Sequence, residues 1–588
     1  MPSPKDKFSA FNRFFFDSSH PATFIGTGSS GGKAQSLQRT NEILASQFNN
    51  ADFPQIKVNI PTFTVIRTDI FDAFMKSNNL YEISLSQQSD ERISHAFQKA
   101  DLPFNILGDL RALVNEVHTP LAVRSSSLLE DAMYEPFAGI YGTKMTPNNQ
   151  PDADTRFRKL VEAIKFVYAS TFFRTAKNYI SATRHRIEDE KMAVIIQEVV
   201  GQRHENNFYP QLSGVARSYN FYSTGRALPK DGVVNLALGM GKTIVDGGVV
   251  WSYSPAYPNI SPPFASYNDM LKNTQIEFWT VNVGKPPGYD PINETEFMKQ
   301  ENIAVADKDG SLAHIASTLD NYSGRLSMGT GVRGARILNF APLLQLDEIP
   351  FNTLIKTLLS LCEKSLNAPV EIEFAMTFNS GKQACIKHRF GFLQVRPMVV
   401  SSEKIEITHE EMTSPDILIA ATDTLGNGVQ DNIHDVLFVI PENFEAKYTT
   451  QIVTEIDRIN KRLVAENRPY LLIGFGRWGS SDPWLGIPVN WSNVSGVKAI
   501  VESTLEKMNV ELSQGSHFFH NLTSFGVFYF SVPFTGMHKI DWNWLQRQNT
   551  VEKTRHIHHV RIPSPLVIKV DGRSRRGIIL KPEIKSHG

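Results

Sequence analysis

The sequence predicts an α/β fold with two regions, and three observations support this prediction. Apolar, β-branched runs alternate with segments whose apolar residues recur at helical spacing, as in residues 60–80. The clearest amphipathic helix pattern, at 349–367, precedes two strand-like runs at 371–378 and 390–400. Hydrophobic residues make up 41% and charged residues 20% of the chain, which is ordinary globular usage. We therefore expect a folded α/β protein, and neither a fibrous repeat nor wholesale disorder.

The first 150 residues contain three predicted segments of this fold. A Gly/Ser loop at 24–33 leads into a helix pattern that continues through Leu37 and Ile43. The segment 60–80 predicts a strand, a turn capped by Thr and Asp, and a helix. The segment 119–132, TPLAVRSSSLLEDA, predicts a strand that continues into Ser-rich backbone. Strands and helices therefore alternate, as an α/β fold requires.

The middle of the chain predicts a helical cover followed by a sheet. Residues 151–190 have helical spacing, with Arg and Lys on one side. Three apolar runs, at 191–201, 213–225 and 232–248, are bounded by glycines and predict paired strands of one sheet. Residues 253–300 are rich in Pro, Asn and Tyr, so we expect an irregular loop or insertion there.

The last part of the chain predicts a hairpin, a linker and a second domain. The runs 371–378 and 390–400 predict the two strands of the hairpin. Residues 401–415 are polar and acidic, which suits a linker. We therefore expect a first domain at 1–400 and a smaller α/β domain at 416–588.

Charge and composition exclude several classes of partner. Lys plus Arg and Asp plus Glu both number 60, so the molecule has no overall field that would attract nucleic acid or an anionic membrane. Only Cys362 and Cys385 are present, too few for a disulfide framework. No uncharged apolar run approaches the roughly 20 residues of a membrane-spanning helix. We expect a cytoplasmic protein that binds neither nucleic acid nor membrane.

The chain offers separate groups that suit a bound triphosphate, which needs close backbone amides, fixed cations and carboxylates for magnesium. Gly31, Gly32 and Lys33 form a glycine turn with a cation, although Ala34 breaks the P-loop pattern. Arg124 ends a strand-like run and precedes three serines whose hydroxyls and amides can donate to an anion. Each feature also suits an ordinary structural role, as a loop or as a capped strand end.

Four polar side chains are predicted to meet on one face of the hairpin. Glu371 and Glu373 are two positions apart on the first strand, so they point to the same face. Gln394 and Arg396 show the same alternation on the second strand. Adjacent carboxylates suit either a solvated edge or a divalent cation that neutralises both.

In order along the chain, five motifs resemble the signatures of one family. They are GGK at 31–33, AVRSSSLLEDAMYEPFAGIYGT at 122–143, AVIIQEVV at 193–200, EIEFA at 371–375 and FLQVRP at 392–397. Together they resemble the ATP-binding domain of phosphoenolpyruvate synthase and pyruvate phosphate dikinase, over roughly residues 20–400. The resemblance implies an ATP-grasp-like fold in which ATP lies between two α/β lobes.

The resemblance also implies roles for individual residues. By motif position, Lys33 and Arg124 would bind phosphate, and Gln197 would lie on the strand that lines the adenine pocket. Arginine gives a fixed fork and lysine a mobile charge, which suits phosphoryl transfer.

The hairpin residues complete the implied site. Glu371 and Glu373 would hold magnesium and ribose or phosphate groups. Gln394 and Arg396 would complete the phosphate side, so that Arg396 joins Arg124 among the predicted catalytic residues.

The sequence departs from the family pattern in two places. Asn235 and Lys242 stand where the family has carboxylates, so one magnesium or phosphate contact is in doubt. The residues after about 400 are too few for a pyruvate-binding barrel of about 250 residues, so we expect the usual pyruvate site to be missing.

Three further features lie in the second region. Gly515, Ser516 and His517 resemble the turn that carries the family's phosphohistidine, although His517 and His520 also suit a structural role. His556, His558 and His559 are expected on a partly exposed edge, with no metal. The loop 473–491 contains Arg477, several glycines, tryptophans and Ser480, Ser481 and Asp482; it suits either a sugar or phosphate site or a tightly turned core loop.

These features lead to an expected function. The chain would be an ATP- and magnesium-dependent phosphotransferase that phosphorylates a histidine, or an acceptor such as pyruvate or another small molecule. One alternative is a nucleotide-sensing regulatory protein without turnover. Another is direct phosphorylation of a small molecule.

Overall fold

The described part of the chain forms two compact units. The computed structural model describes residues 9–13, 22–128, 130, 139–181, 185–221, 226–246, 248–260, 264, 266–320, 323–346, 348–378, 388–398, 400, 405–480, 484–506, 522, 526–536 and 540–582. The first unit comprises 1–219 and 230–398, and the second comprises 220–229 and 399–588. Both units mix helices and strands, which confirms the predicted α/β class.

The first unit contains nineteen strands and twelve α-helices among its described residues. Its strands are β1 (Ser9–Ala10), β2 (Ala22–Ile25), β3 (Ile56–Asn59), β4 (Phe63–Ile66), β5 (Leu121–Ser127), β6 (Thr143–Thr146), β7 (Met192–Glu198), β8 (Gln202–His204), β9 (Asn207–Tyr209), β10 (Leu212–Arg217), β11 (Val233–Ala237), β12 (Trp251–Tyr253), β13 (Glu277–Asn282), β14 (Met298–Asn302), β15 (Ser317–Asp320), β16 (Leu326–Met328), β17 (Gly334–Ile337), β18 (Val370–Phe378) and β19 (His388–Pro397). Its helices are α1 (Gly31–Gln47), α2 (Thr68–Ser77), α3 (Tyr81–Leu85), α4 (Asp90–Lys99), α5 (Phe104–Glu116), α6 (Ala153–Ser170), α7 (Arg174–Ser181), α8 (Lys242–Val245), α9 (Tyr267–Asn273), α10 (Ile303–Lys308), α11 (Ala341–Gln345) and α12 (Phe351–Leu366).

Two six-stranded sheets position the candidate site. We call them the N-sheet, with order β1-β2-β4-β7-β5-β6, and the C-sheet, with order β12-β11-β10-β18-β19-β3. Helix α1 contacts β5 of the N-sheet and β19 of the C-sheet. Apolar residues of both sheets and of α1 and α12 belong to one buried core, which includes Leu37, Ile195, Ile372 and Leu354. The two sheets are therefore joined through a shared core.

Alternation along the C-sheet strands separates a core face from a polar face. The even-numbered residues of β18 from Val370 to Phe378 lie in the buried core. Glu371 and Glu373 therefore point to the opposite face, as the period-2 pattern predicted. The predicted hairpin is confirmed, because β18 pairs antiparallel with β19.

Two local predictions in this unit were wrong. The run at 191–201 forms β7, which lies in the N-sheet between β4 and β5, whereas β10 and β11 pair with each other in the C-sheet. Sheet membership depends on tertiary packing, which an apolar run does not encode. Residues 253–300 include α9 and the antiparallel pair of β13 and β14, in which Phe278 and Val281 are buried. The Pro- and Asn-rich flanks concealed this short alternating strand.

The second unit is built on one large sheet. Its strands are β20 (Ile417–Ala421), β21 (Asp423–Leu425), β22 (Gly428–Val439), β23 (Tyr470–Phe475), β24 (Arg477–Trp478), β25 (Gly486–Ile487), β26 (Val497–Ser503), β27 (Phe528–Val532), β28 (Asn549–Lys553), β29 (Ile557–Asp571) and β30 (Arg576–Leu580). Its helices are α13 (Thr449–Ala465) and α14 (Trp542–Gln546). Strands β22, β23, β26 and β27 are parallel, and β29 is antiparallel to β22.

The stretch expected to be a linker packs on the second unit. Ile407 and Met412 are buried in a small cluster with Ala420 and Ile578, on β20 and β30. Residues 405–415 therefore contribute to the apolar packing of this unit. Among the described residues, no helix combines the length and the apolar character that crossing a bilayer requires.

Candidate functional site

The polar face of the C-sheet carries two rows of paired side chains. In one row, Gln394, Glu373, Val215 and Asn235 lie side by side on four adjacent strands. In the other row, Arg396 and Glu371 lie beside Arg217. The structure thus brings together the four polar residues predicted from the hairpin.

Arg124 connects this face to the N-sheet. Its Nη1 donates to Gln197 Oε1 at 3.1 Å and to the carbonyl oxygen of Leu393 at 3.2 Å, and its Nη2 donates to Gln394 Oε1 at 3.0 Å. Nη2 also lies 3.9 Å from Glu373 Oε2. The pairing register of β18 and β19 shifts between Glu373 and Phe374, which marks a β-bulge. A β-bulge leaves backbone groups unpaired. Arg124 therefore spans the two sheets at the point where Gln197, Glu373 and Gln394 meet.

Glu371 is a buried carboxylate between two arginines. Its side chain is 1% exposed, and Arg396 Nε donates to its Oε1 at 2.6 Å. Arg396 Nη2 contacts the same oxygen, and Arg217 Nε contacts Oε2. Each carboxylate oxygen thus accepts from a guanidinium, and the charge of Glu371 is neutralised without a metal.

The Gly/Ser loop and α1 lie against the end of β5. Gly31 has φ +77°, and a Cβ there would lie 1.7 Å from the Ser126 carbonyl oxygen, so only glycine fits. Ser126 Oγ donates to the carbonyl oxygen of Ser30 at 2.9 Å and accepts from the Ala34 amide at 3.0 Å. The serine-rich strand end therefore fixes the first turn of α1.

Lys33 points into this junction and is already paired. Its Nζ lies 3.0 Å from Glu130 Oε1, and Glu130 also accepts from the Ser125 hydroxyl at 2.8 Å and from the Ser127 amide at 2.9 Å. The Lys33 side chain is 10% exposed and that of Glu130 is 4% exposed. One of the three N–H donors of Lys33 is thus used on Glu130.

A second carboxyl lies next to this pair. Burial raises the pKa of Glu190 to about 7; a hydrogen bond with Ser127 partly offsets this effect, and the charge of Glu130 adds to it. Glu190 is 8% exposed, and its Oε1 has no hydrogen-bond partner in the described part of the chain. Near the first turn of α1, which carries Lys33, there are thus two carboxyl groups: that of Glu130, which pairs with Lys33, and that of Glu190, whose pKa is raised to about 7.

The two departures from the family pattern have local partners. Asn235 Oδ1 accepts a hydrogen bond from the Ser252 hydroxyl at 2.6 Å, so its amide is oriented within the C-sheet. Lys242, at the start of α8, pairs with Asp246 at 3.0 Å. Asn235 lies in the same row as Glu373, two strands away, with Val215 between them.

The described residues provide few side chains that could bind a metal ion at this site. None of these residues forms a group of three or more His, Cys, Asp or Glu side chains that could hold a metal ion. Glu373 is 22% exposed and has Arg124 nearby at 3.9 Å. A single available carboxylate fits Mg²⁺, which usually binds one or two protein carboxylates together with substrate phosphates.

The second-unit predictions have mixed outcomes. His517 and His520 lie outside the described residues. The expectation of a partly exposed histidine edge was wrong, because His556, His558 and His559 are 1%, 6% and 0% exposed. His558 and His559 lie on β29 and pair with β22 on one side and with β28 on the other, and this position buries both.

The loop at 473–491 is tightly turned around a buried tryptophan. Trp478 is 1% exposed, and its Nε1 donates to the Val501 carbonyl oxygen at 3.1 Å. A Cβ on Gly474 would lie 2.4 Å from the Trp478 ring, so this glycine is needed for the packing. These contacts favour the core-loop interpretation for Trp478, whereas Trp484 is 71% exposed.

Sequence reasoning missed two residues of the site. Arg217 ends β10 and bonds to Glu371 on β18, which is 154 residues away in the sequence. Glu130 follows Ser125 by five residues and bonds to Lys33 from 97 residues away. The alternation in SGVAR places Arg217 on the face of Val215, but nothing local identifies Glu371 as its partner.

Comparison with protein families identifies the family of the chain. A sequence model of the family described as pyruvate phosphate dikinase, AMP/ATP-binding domain, matches residues 28–416. No curated protein matches the chain. The matched range contains the polar face of the C-sheet, Arg124 and Lys33, and well over half of the 588 residues. The chain therefore belongs to the pyruvate phosphate dikinase AMP/ATP-binding domain family, which has an ATP-grasp-like fold and binds ATP for phosphoryl transfer.

Proposed function

We propose that the chain is an ATP-dependent phosphotransferase of the dikinase type that binds Mg-ATP between the N-sheet and the C-sheet. The observation that carries this proposal is Arg124, which reaches from β5 to Gln394 and the Leu393 carbonyl on β19. An arginine at this junction can contact phosphate from both sides of a cleft. Family membership indicates that the ligand is ATP, and the contacts of Arg124 indicate where it binds.

The proposed roles follow from burial and available donors. Gln197 lies on the adenine side, and Arg124 exchanges its amide and carbonyl acceptors for phosphate oxygens. Lys33 moves from Glu130 to a phosphate, as a flexible ammonium can. Gln394 is released from Arg124 in the same exchange. In this proposal, protein acceptors hold the side chains of Arg124 and Lys33 in place until phosphate oxygens of the nucleotide replace those acceptors.

The two hairpin carboxylates receive different roles in this proposal. Glu373, with its partly exposed carboxylate, would hold magnesium, which would neutralise phosphate charge when bound. Glu371 instead positions Arg396 and Arg217, because both of its oxygens are already bonded to them. Arg396 is thereby held rigidly on the phosphate side. Catalysis in such a site rests on positioning and on neutralisation of charge.

Product analysis tests the reaction type. In a dikinase-type reaction, the β-phosphate of ATP passes to the acceptor and the γ-phosphate passes to water, which gives phosphate, or to phosphate, which gives pyrophosphate. We therefore expect AMP to accumulate when acceptor is supplied. Pyruvate is the first acceptor to assay. ADP as the sole nucleotide product would instead support direct phosphorylation of a small molecule.

A regulatory role without turnover is the second candidate. It is favoured by Asn235 and Lys242, since an amide bonded to Ser252 and a lysine paired with Asp246 stand where carboxylates are expected. This candidate predicts that ATP binds but that neither AMP nor ADP forms. Restoring a carboxylate, Asn235→Glu, is the variant that would raise turnover if the missing ligand limits it.

The phosphate carrier is proposed to be His517, on the resemblance of the turn at 515–517. Incubation with β-labelled ATP should leave an acid-labile, base-stable label on the protein. The label should disappear in His517→Ala and persist in His520→Ala, which serves as the matched control. Retention of the label in His517→Ala would exclude this carrier.

A further inference from the structure

Arg217 differs from the other cations of the site in what its side chain contacts. Its Nε bonds to Glu371 Oε2. Within the part of the chain that the structure describes, its Nη1 and Nη2 groups contact no acceptor. A guanidinium anchored through Nε alone keeps four N–H donors in a fixed planar fork.

The neighbouring cations are engaged by the protein. Both terminal amino groups of Arg124 donate to protein acceptors, and Lys33 is paired with Glu130. Arg396 uses Nε and Nη2 on Glu371. Side-chain exposure is 17% for Arg217, against 14% for Arg124, 10% for Lys33 and 7% for Arg396. Arg217 is therefore the most exposed cation of the four, and neither of its terminal amino groups makes a hydrogen bond among the described residues.

Charge in this row is not balanced. One carboxylate, Glu371, lies between two guanidiniums, so the row formed by Arg396, Glu371 and Arg217 carries one net positive charge. The adjacent row adds the neutral Val215 and Asn235 and the carboxylate of Glu373, which lies 3.9 Å from Arg124 Nη2. A partly buried guanidinium whose terminal amino groups make no hydrogen bond to described residues favours an anion from solution.

The position of the row indicates which part of a nucleotide it faces. Arg124 ties Gln197, on the proposed adenine side, to Gln394 in the first row. The Arg217 row lies two residues further along the strands, roughly 6.6 Å at 3.3 Å per residue. Arg217 thus lies one row beyond the contact of Arg124 with Gln394.

We propose that Arg217 is an anion-binding residue of this site, whose Nε holds Glu371 and whose terminal amino groups bind the outer phosphates of the nucleotide. The inference rests on the proposed function and adds a residue that the family motifs do not contain. The planar fork matches two phosphate oxygens, and anchoring through Glu371 reduces the entropy lost on binding.

Arg336 provides a matched control in the same unit. Its side chain is also 17% exposed, and its Nε also bonds to a carboxylate, that of Asp307, at 3.0 Å. Its Nη1, however, donates to the Val332 carbonyl oxygen at 2.9 Å. It lies on β17, in the three-stranded sheet with β15 and β16. Arg336→Ala therefore removes a similar ion pair outside the site.

Calorimetric titration of the full-length protein with Mg-ATP, and separately with AMP, tests the proposal. We expect Arg217→Ala to bind Mg-ATP at least tenfold more weakly than wild type, and AMP within twofold. Arg217→Lys should recover part of the loss, because its ammonium restores the charge without the fork. Arg336→Ala should bind both nucleotides as wild type does. If Arg217→Ala does not fold, Arg217→Lys carries the test, with Mg-ATP weakened and AMP unchanged.

The outcomes separate this inference from the proposed function. Arg217→Ala that binds Mg-ATP within twofold of wild type would overturn the role of Arg217 alone. Equal weakening of Mg-ATP and AMP would also overturn it, because that result indicates a purely structural contact. Wild-type protein that binds no Mg-ATP would overturn the proposed function and this inference together.

Discussion

Each unit contains a buried carboxylate between arginines. The two clusters differ in whether the terminal amino groups of the arginines face a carboxylate. In the second unit, Asp435 accepts from Arg468 at 2.7 Å, Arg561 at 2.9 Å and His559 at 2.8 Å. The terminal amino groups face carboxylates as well, since Arg561 Nη2 lies 3.8 Å from Glu466. In the first unit, Glu371 has two arginines, and the terminal donors of Arg217 are unused among the described residues.

The comparison shows that a buried ion pair does not by itself mark a binding site. In the Asp435 cluster, both guanidiniums face carboxylates through Nε and Nη2, as in a structural network. The Glu371 cluster leaves the terminal amino groups of Arg217 on the face that also carries Glu373 and Gln394. Unused donor capacity next to other polar groups is the feature that distinguishes a site from a structural pair.

The largest expected effect is on stability, from breaking the Asp435 cluster. Asp435→Asn should destabilise the second unit by about 3–5 kcal/mol, because it leaves His559 and two arginines without their shared carboxylate. Chemical denaturation with a probe in the second unit measures this. Affinity for Mg-ATP should not change, and a tenfold loss of affinity would contradict the separation of the two clusters.

The pH dependence of the two units should also differ. Burial alone would raise the pKa of Asp435, but hydrogen bonds from His559, Arg561 and Arg468 outweigh it and lower this pKa to about 2. Stability from Asp435 is therefore present above its unfolded pKa of about 4 and is lost as pH falls toward 2. Glu190 behaves oppositely, because its raised pKa favours the protonated, neutral form in the folded state.

Glu190→Gln sharpens this contrast. Since the folded pKa of Glu190 is about 7, stability from this group is fully present below about pH 4 and is lost as pH rises through 7. The wild-type protein should thus lose stability relative to Glu190→Gln over this range, by up to about 3 kcal/mol at 1.36 kcal/mol per pKa unit. Melting temperatures of both proteins at pH 5 and pH 8 check this.

The control for Glu190 is the neighbouring and more exposed Glu188. Glu188→Gln should give the same difference from wild type at both pH values, because its side chain is 46% exposed. A pH-independent effect of Glu190→Gln would mean that Glu190 is ionised throughout the range.

The smallest effect is expected from Arg561, the counterpart of Arg217 in the second unit. Arg561→Ala removes a 38% exposed guanidinium from a carboxylate that keeps two other donors, so we expect a loss of about 1 kcal/mol. Denaturation midpoints measure the loss, and Mg-ATP titration should give the wild-type affinity. A larger effect on affinity than that of Arg217→Ala would reverse the comparison.

Much of the site could be predicted because strand alternation is a local rule. The spacing of Glu371 and Glu373, and of Gln394 and Arg396, was enough to place all four on one face, and the register of β18 and β19 pairs them as expected. The glycine turn before α1 was equally readable, since Gly31 requires a left-handed backbone.

The remaining features depend on contacts between distant parts of the chain. No local pattern states that β7 joins the N-sheet, that Glu130 pairs with Lys33, or that Arg217 shares Glu371 with Arg396. The histidines of β29 were misjudged for the same reason, because their burial depends on pairing with both β22 and β28. Sequence periodicity identifies a face, and tertiary packing decides what that face meets.

The central claim is that Mg-ATP binds where Arg124 joins the N-sheet to the C-sheet. Calorimetric titration of wild-type protein and Arg124→Ala with Mg-ATP, each with a melting curve, tests it most directly. We predict one saturable site in wild type and at least tenfold weaker binding in Arg124→Ala, with folding retained. At about a hundred times the dissociation constant, the nucleotide should add about 2.7 kcal/mol to wild-type stability. Absence of both heat and thermal shift in wild type, or unchanged affinity in Arg124→Ala, would contradict the claim.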